Sequence, residues 1–188
     1  AIPFSEKYGG LDFGYKGLGV VMEECGRSLA ASPLFATVWL GGTTINLGGS
    51  DPMKAELLPP MVRGDLLVAL AIEETHKHNP YGVNTSAKEL EDYFLLNGSK
   101  KFVLDGHIAN YIIVVARTSG KCGDRDGITM FLLDSEEDGL QIQREVMADS
   151  RNSATINLEN VQVNKDRVIG EIDKGSDILD LTLDIGRI

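Results

Sequence analysis

The sequence is short of cysteine, of aromatic residues and of basic residues. Its 188 residues include two cysteines, one tryptophan, and 18 lysines and arginines against 28 aspartates and glutamates, for a net charge of −10. This excess of negative charge argues against nucleic acid and anionic membrane surfaces as partners, because both repel an acidic protein. Cys25 and Cys122 are too few and too isolated to form a disulfide framework. We therefore expect a reducing compartment, the cytoplasm, with the mitochondrial matrix as the alternative.

Several sequence signals are also missing. No apolar run is long enough to cross a membrane, and the opening AIPFSEKYGG has no signal-peptide core. We find no P-loop, dinucleotide fingerprint or nucleophile motif, and the histidines and cysteines lack the spacing of metal ligands, so we expect no metal site. The chain has no initiating methionine and its last residues, LDIGRI, stop inside an amphipathic pattern. We therefore expect a fragment of a longer protein.

Hydrophobic periodicity divides the chain into three parts. Apolar residues recur at helix spacing in residues 1–65, where Ser32-Pro33 and Ser50-Asp51-Pro52 provide helix starts. We expect Pro59-Pro60 to end the third helix. In residues 66–174 the period changes to two, which predicts six or seven short strands separated by turn signals such as Asn97-Gly98. The predicted strands are LLVALAIEE, YFLLNGSKKFVL, YIIVVART, ITMFLLD, LQIQREV and ATINLENVQV. Residues 175–188 return to helix spacing.

This pattern predicts an α+β fold. The N-terminal helices are followed by a small antiparallel β-barrel or sandwich, and then by the beginning of another helix.

Three groups of residues are candidates for chemistry. The island His76-Lys77-His78-Asn79 is either an anion site for phosphate or a solvated loop. Glu73 and Glu74 are adjacent and cannot share a proton if they lie on one strand, so we expect one inward residue with a partner and one solvated residue. Phe102 is either a core residue or a surface on which a planar ligand stacks. The residues by themselves leave these alternatives open.

Taken in order, five segments resemble the flavin-dependent acyl-CoA dehydrogenase family. They are PFSEKYGGLDFGYKGLGVVMEECGR, SDPMKAELLPPMVRGD, ALAIEETHKHNPYGVNTSA, YFLLNGSKKFVLDGHIANYIIVVART, and the tail from VMADSRNSATINLENVQV to LDIGRI. The resemblance covers essentially the whole chain. It implies the end of an N-terminal helical domain in residues 1–65, a middle β-domain in 66–174 and the first helix of a C-terminal bundle in 175–188.

The resemblance also implies a function. The family removes the α-proton of an acyl-CoA thioester with a carboxylate, while FAD accepts the β-hydrogen as hydride. The expected partners are acyl-CoA as substrate, an electron-transfer flavoprotein as acceptor, and further copies of the chain in a dimer or tetramer. The catalytic base is expected in the C-terminal bundle, so no residue of this chain is assigned that role.

Carried over residue by residue, the resemblance assigns the cofactor site to residues 71–73, 77–78 and 102–104. Phe102 takes the position that stacks on the isoalloxazine, with Val103 beside it facing the opposite way, and Leu104 replaces a threonine near N5. The remaining assignments are Ala71, Ile72 and Glu73 at the pyrimidine side, Lys77 and His78 at the pyrophosphate, and His78, Asn79 and Arg187 at the acyl-CoA. Ile72 also replaces a threonine.

Two alternatives to an acyl-CoA dehydrogenase remain. One is a non-catalytic or flavin-poor relative that serves as a binding or partner subunit. The other is a related flavin monooxygenase or oxidase.

Overall fold

The computed structural model describes residues 2–149 and 151–187. The helices are a short 3₁₀ turn at Glu6–Tyr8, α1 at Gly14–Arg27, a π-helix at Phe35–Gly42 that continues as α2 at Thr43–Gly48, α3 at Asp51–Arg63 and α4 at Gly175–Gly186. Within the described residues, none of these helices has the length and apolar character needed to cross a membrane.

The prediction that Pro59-Pro60 ends the third helix is wrong. α3 starts at Ser50, whose side chain accepts a hydrogen bond from the Met53 N–H, and it continues through both prolines. The helix ends only at Gly64, which has the left-handed φ of 85° that favours glycine. Leu57, Leu58 and Met61 on either side of the prolines are buried in the core, and this burial offsets the lost backbone bonds.

The middle of the chain forms one eight-stranded sheet. The strands are β1 at Val68–Ala71, β2 at Ser86–Glu89, β3 at Tyr93–Leu104, β4 at Tyr111–Arg117, β5 at Ile128–Asp134, β6 at Leu140–Val146, β7 at Asn152–Asn164 and β8 at Val168–Ile169. Their order is β6-β7-β3-β2-β4-β5-β8, with β1 beside β4. Most pairs are antiparallel, whereas β1 and β2 run parallel to β4, and the sheet does not close into a barrel.

Two predictions about where strands end are wrong. Asn97-Gly98 is not a turn: it lies inside β3, where the pairing with β7 shifts register between Leu96 and Gly98. β1 ends at Ala71, so Glu73 and Glu74 follow the strand and do not lie on it. The α+β architecture itself is confirmed.

The sheet separates two hydrophobic cores. One core contains inward residues of β1, β3, β4, β5 and β7 and includes Phe94 and Phe131, whose ring centroids are 5.0 Å apart. The other lies between the sheet and the helices. α4 is joined to the N-terminal helices by hydrogen bonds from Trp39 Nε1 to the Ile185 carbonyl at 2.7 Å and between the hydroxyls of Thr44 and Thr182 at 3.3 Å. The first and last helical segments therefore pack together on one face of the sheet.

Candidate functional site

Phe102 lies on a β-bulge that turns its ring out of the sheet. The register of β3 with β7 shifts between Lys100 and Val103, and Phe102 takes a left-handed backbone conformation there, with φ 54°. Lys100 and Val103 point inward with 0% and 1% exposure, whereas Phe102 is 37% exposed. A left-handed phenylalanine is uncommon, and such conformations cluster at functional sites. The alternative in which Phe102 is a core residue is therefore wrong.

Val103 faces the opposite way from Phe102, as expected. Its side chain belongs to the core of the β-domain. Among the residues predicted to contact the cofactor, Val103 can therefore do so only through its main chain.

The β1–β2 loop (residues 72–85) carries the His76-Lys77-His78-Asn79 island beside this bulge. Glu73 is bonded within the loop: one carboxylate oxygen lies 2.6 Å from His78 Nδ1, and the other accepts from the Asn79 N–H at 3.0 Å. His76 makes an edge contact with Phe102, with ring centroids 5.8 Å apart. Lys77 is exposed and has no carboxylate within 4.0 Å in the described part of the chain. Lys77 is therefore the available cation of the island.

A buried ion pair joins this loop to β3. Lys100 Nζ donates to the Glu74 carboxylate at 2.8 Å and to the Ile72 carbonyl at 3.0 Å. The carboxylate also accepts from the N–H groups of Asn84 and Thr85, both at 2.8 Å. Glu74 is thus the inward residue with a partner that the sequence predicted, although Glu73 is bonded within the loop and not simply solvated.

The pKa values of this pair reflect both its burial and its charges. Burial lowers the pKa of Lys100 to about 8, against the opposing attraction of Glu74. Burial also acts to raise the pKa of Glu74, but the charge and hydrogen bond of Lys100 and the hydrogen bonds at Thr85 outweigh it, so the pKa lies below its ordinary value. Lys100 and Glu74 are therefore both charged near neutral pH, and their ion pair fixes the start of the loop to β3.

The start of the β1–β2 loop presents a free backbone donor. The carbonyl of Ile72 is held by Lys100 Nζ, and the carbonyl of Glu73 accepts from the Lys101 N–H at 2.7 Å. The Glu73 N–H has no acceptor among residues 2–149 and 151–187. This donor can bind a polar edge of a ligand that rests on Phe102.

A cavity of about 400 Å³ opens on the other side of the bulge. Leu104, Asp105 and Arg151 line it from the β-domain, and residues 29–33, 35 and 36 form a mostly apolar wall. Burial raises the pKa of Asp105, while the charges of His107 and Arg151 oppose that change. An elongated apolar group with a polar end fits such a space.

Arg117 is a buried charged residue that supports the loops around the candidate site and was not predicted from the sequence. Its guanidinium is buried and donates to five backbone carbonyls of the β1–β2 loop and of the β4–β5 loop (residues 118–127): Tyr81, Val83, Ser119, Asp124 and Asp126. Lys100 was missed in the same way, whereas its partner Glu74 belongs to the Glu73-Glu74 pair from which one inward residue was expected. The available signal was a charged residue on an otherwise inward-facing strand position, which requires a buried partner.

The structure brings most, but not all, of the predicted residues together. Ala71 is fully buried at the end of β1, and Ile72, Glu73, Phe102 and Leu104 lie around the bulge. Arg187 follows α4 and pairs with Asp184 at 2.7 Å, and it has no hydrogen bond or ion pair with the β1–β2 loop in the described chain. Among residues 2–149 and 151–187, no group of three or more His, Cys, Asp or Glu side chains is arranged to hold a metal ion.

Comparison with known proteins gives concordant matches. A family model for the acyl-CoA dehydrogenase N-terminal domain matches residues 1–65, and one for the middle domain matches residues 69–161. The 3-(aryl)acrylate reductase of Clostridium sporogenes is 34% identical over 193 residues, covering 100% of this chain and 51% of that protein. The chain thus spans about half the length of the curated relatives it matches.

Solved structures agree with the family models. A chain from the electron transferring flavoprotein structure of Acidaminococcus fermentans has a TM-score of 0.89 and 28% identity over 99% of this chain and 50% of that one. The butyryl-CoA dehydrogenase of Megasphaera elsdenii has a TM-score of 0.81 and 29% identity over 98% of this chain and 50% of that one. Both the sequence and the fold therefore show that the chain belongs to the acyl-CoA dehydrogenase family.

Proposed function

We propose that this chain supplies the flavin-binding face of an FAD-dependent enzyme that dehydrogenates an acyl-CoA thioester. The observation that carries this proposal is the outward ring of Phe102 on its bulge, near the Glu73 N–H, which has no acceptor in the described part of the chain. A flavin has a flat aromatic body and a polar pyrimidine edge. An exposed ring with a backbone donor beside it fits both parts.

Different residues around the bulge would contact different parts of FAD. Phe102 provides the stacking surface, and the main chain of Ala71, Ile72 and Glu73 provides donors and acceptors at the pyrimidine side. Leu104 and the main chain of Val103 complete the contact. Ile72 and Leu104 lack the hydroxyls that the family carries, at a cost of about 0.5–1.5 kcal/mol for each lost hydrogen bond.

The β1–β2 loop is suited to the phosphates of the cofactor and substrate. Lys77 has no carboxylate within 4.0 Å among the described residues, so its charge is available to a phosphate. The Nδ1–H of His78 donates to Glu73, so His78 donates to a phosphate only when Nε2 is protonated as well. Asn79 and Arg187 are assigned to the acyl-CoA, and the cavity beside Leu104 supplies apolar walls for its acyl part.

When bound, FAD would accept the hydride that leaves the β-carbon of the acyl group. The described residues bind and orient the reactants and exclude water from them. The carboxylate that removes the α-proton is expected from the C-terminal bundle of the full protein.

A second candidate is the reverse reaction, reduction of an α,β-unsaturated acyl or arylacrylyl group. The relative that favours it is the 3-(aryl)acrylate reductase, at 34% identity. The same binding face serves either reaction, because the product of dehydrogenation, the unsaturated acyl group, is the substrate of the reduction.

The partners follow from the same proposal. An electron-transfer flavoprotein is the expected electron carrier, supported by the match to a chain in the Acidaminococcus fermentans structure. Assembly into a homodimer or homotetramer is expected from the family. The free cysteines Cys25 and Cys122 fit a reducing compartment, the cytoplasm or the mitochondrial matrix.

The visible spectrum of the purified full-length protein tests the proposal. Bound oxidised flavin, present as isolated or taken up on addition of FAD, is the expected result. A protein that takes up no FAD contradicts it. Under anaerobic conditions, bleaching by a saturated acyl-CoA supports the dehydrogenase, whereas reoxidation of the chemically reduced protein by an unsaturated acyl thioester without bleaching by the saturated one supports the reductase.

Phe102→Ala tests the stacking surface itself. Loss of an aromatic contact worth about 1–1.5 kcal/mol weakens FAD binding by about tenfold. Phe13→Ala is the matched control, because Phe13 lies before α1 and is 71% exposed. Unchanged FAD affinity in Phe102→Ala, measured by flavin fluorescence, would remove Phe102 from the site.

A further inference from the structure

Lys100 is a buried charge that the proposed function does not use. Its side chain is 0% exposed, although lysine is almost never fully buried unless it is paired. Its ammonium bonds to the Glu74 carboxylate and to the carbonyl of Ile72. The Ile72 carbonyl belongs to residues 71–73, which would face the pyrimidine side of a flavin, and Glu74 directly follows that segment.

The bond to Ile72 sets the direction of one peptide group. The C=O of Ile72 and the N–H of Glu73 belong to the same planar trans peptide and point in opposite directions. Because Lys100 draws the carbonyl inward, the N–H faces outward. The Lys101 N–H fixes the next carbonyl, that of Glu73, at 2.7 Å, so the segment lies beside the residue that precedes Phe102.

The ion pair also places charge behind that peptide. The Glu74 carboxylate is shared among three donors, Lys100 Nζ and the N–H groups of Asn84 and Thr85. Arg117 adds positive charge to the surroundings of Lys100, and Glu73 adds negative charge. A positive charge near the pyrimidine edge of a flavin favours its reduced form, and a negative charge disfavours it.

We propose that Lys100 is a positioning residue of the cofactor site: it turns the Glu73 N–H toward a ring bound on Phe102 and places positive charge behind that edge. The inference rests on the proposed function, because it needs FAD at this face. Glu74 is the counter-ion: its carboxylate holds the ammonium in place and partly offsets the positive charge.

The test compares two isosteric variants of the full-length protein with opposite charge changes. Lys100→Met removes the ammonium, and Glu74→Gln removes the carboxylate while keeping its shape. Lys88→Met, at an exposed position on β2, is the control for loss of a lysine. The readouts are FAD affinity, the midpoint potential of the bound flavin and the melting temperature of the apoprotein.

We expect the flavin midpoint potential to fall in Lys100→Met. It rises in Glu74→Gln when measured at a pH low enough to keep Lys100 protonated, because Glu74 is the main group that opposes the lowering of the Lys100 pKa by burial. FAD binding weakens on the order of tenfold in Lys100→Met, because the oriented N–H is lost. Lys88→Met changes neither quantity. If both site variants melt at lower temperature but keep the wild-type potential and FAD affinity, Lys100 is only structural and the proposal is overturned.

Further measurements distinguish failure of this proposal from failure of a variant to fold and from failure of the proposed function. If Lys100→Met does not fold, Glu74→Gln is compared with the double variant Lys100→Met/Glu74→Gln, which carries neither charge. A higher midpoint potential in Glu74→Gln than in both the wild type and the double variant supports the proposal. Equal potentials overturn it. If the wild-type protein binds no FAD, the proposed function fails first. Bound FAD with no shift in any variant refutes the role of Lys100 alone.

Discussion

Replacement of Arg117 by methionine should destabilise the protein strongly. Arg117 is 9% exposed, and its guanidinium has no carboxylate within 4.0 Å in the described residues, so five carbonyl groups are its partners. Methionine fills a similar volume but donates no hydrogen bond. The two loops that Arg117 joins would each lose the group that holds them together.

The distances set the expected magnitude. Three of the bonds, to Val83, Asp124 and Asp126, are 2.9 Å long, and the other two are 3.2 and 3.3 Å. At about 1 kcal/mol for each of the three short bonds, the free energy of unfolding falls by about 3 kcal/mol. For a chain of this size, that lowers the melting temperature by roughly 6–12 °C.

Thermal unfolding followed by circular dichroism measures this change, and hydrogen exchange locates it. We expect faster exchange in residues 79–85 and 119–127. Arg144→Met is the control, because Arg144 is exposed and, among the described residues, its guanidinium bonds only to the Asn152 side chain. Arg117→Lys should recover only part of the stability, since an ammonium cannot reproduce the planar guanidinium. A melting temperature for Arg117→Met equal to that of the control would refute the reasoning.

Two further predictions concern titrating groups. The pKa of Glu74 is lowered in the folded protein from its ordinary 4.5, because Lys100 and the Thr85 hydrogen bonds outweigh the effect of burial; its contribution to stability is present above pH 4.5 and is lost as the pH falls through the lowered pKa. Denaturant unfolding at acid pH should therefore show a steeper loss of stability in the wild type than in Glu74→Gln, and parallel curves would contradict this. The hydrogen bond to Asp180, 2.5 Å long, raises the pKa of the Tyr81 hydroxyl above 10.0. Asp180→Asn should lower it in an ultraviolet titration, and an unchanged tyrosine titration would show that the bond is not formed in solution.

Much of the middle of the fold could be predicted from the sequence. The runs ITMFLLD and LQIQREV were predicted as strands, and β5 and β6 have those bounds. The run YFLLNGSKKFVL was predicted with a turn signal at Asn97-Gly98, but it forms the single strand β3. Alternation and β-branched composition are local properties, so they can be read without knowing the partners of a strand. β2, with the polar sequence SAKE, was missed because it is a strand only through its pairing with β3 and β4.

The sequence by itself therefore determined the α+β architecture, the family, and which short segment carries the candidate flavin residues. Tertiary structure decided how that segment is presented. The bulge that turns Phe102 outward arises from the register of β3 with β7, and Lys100 meets Glu74 across 26 residues of chain. Such contacts depend on pairing between distant segments, and no local pattern of side chains specifies which inward charge will meet which partner.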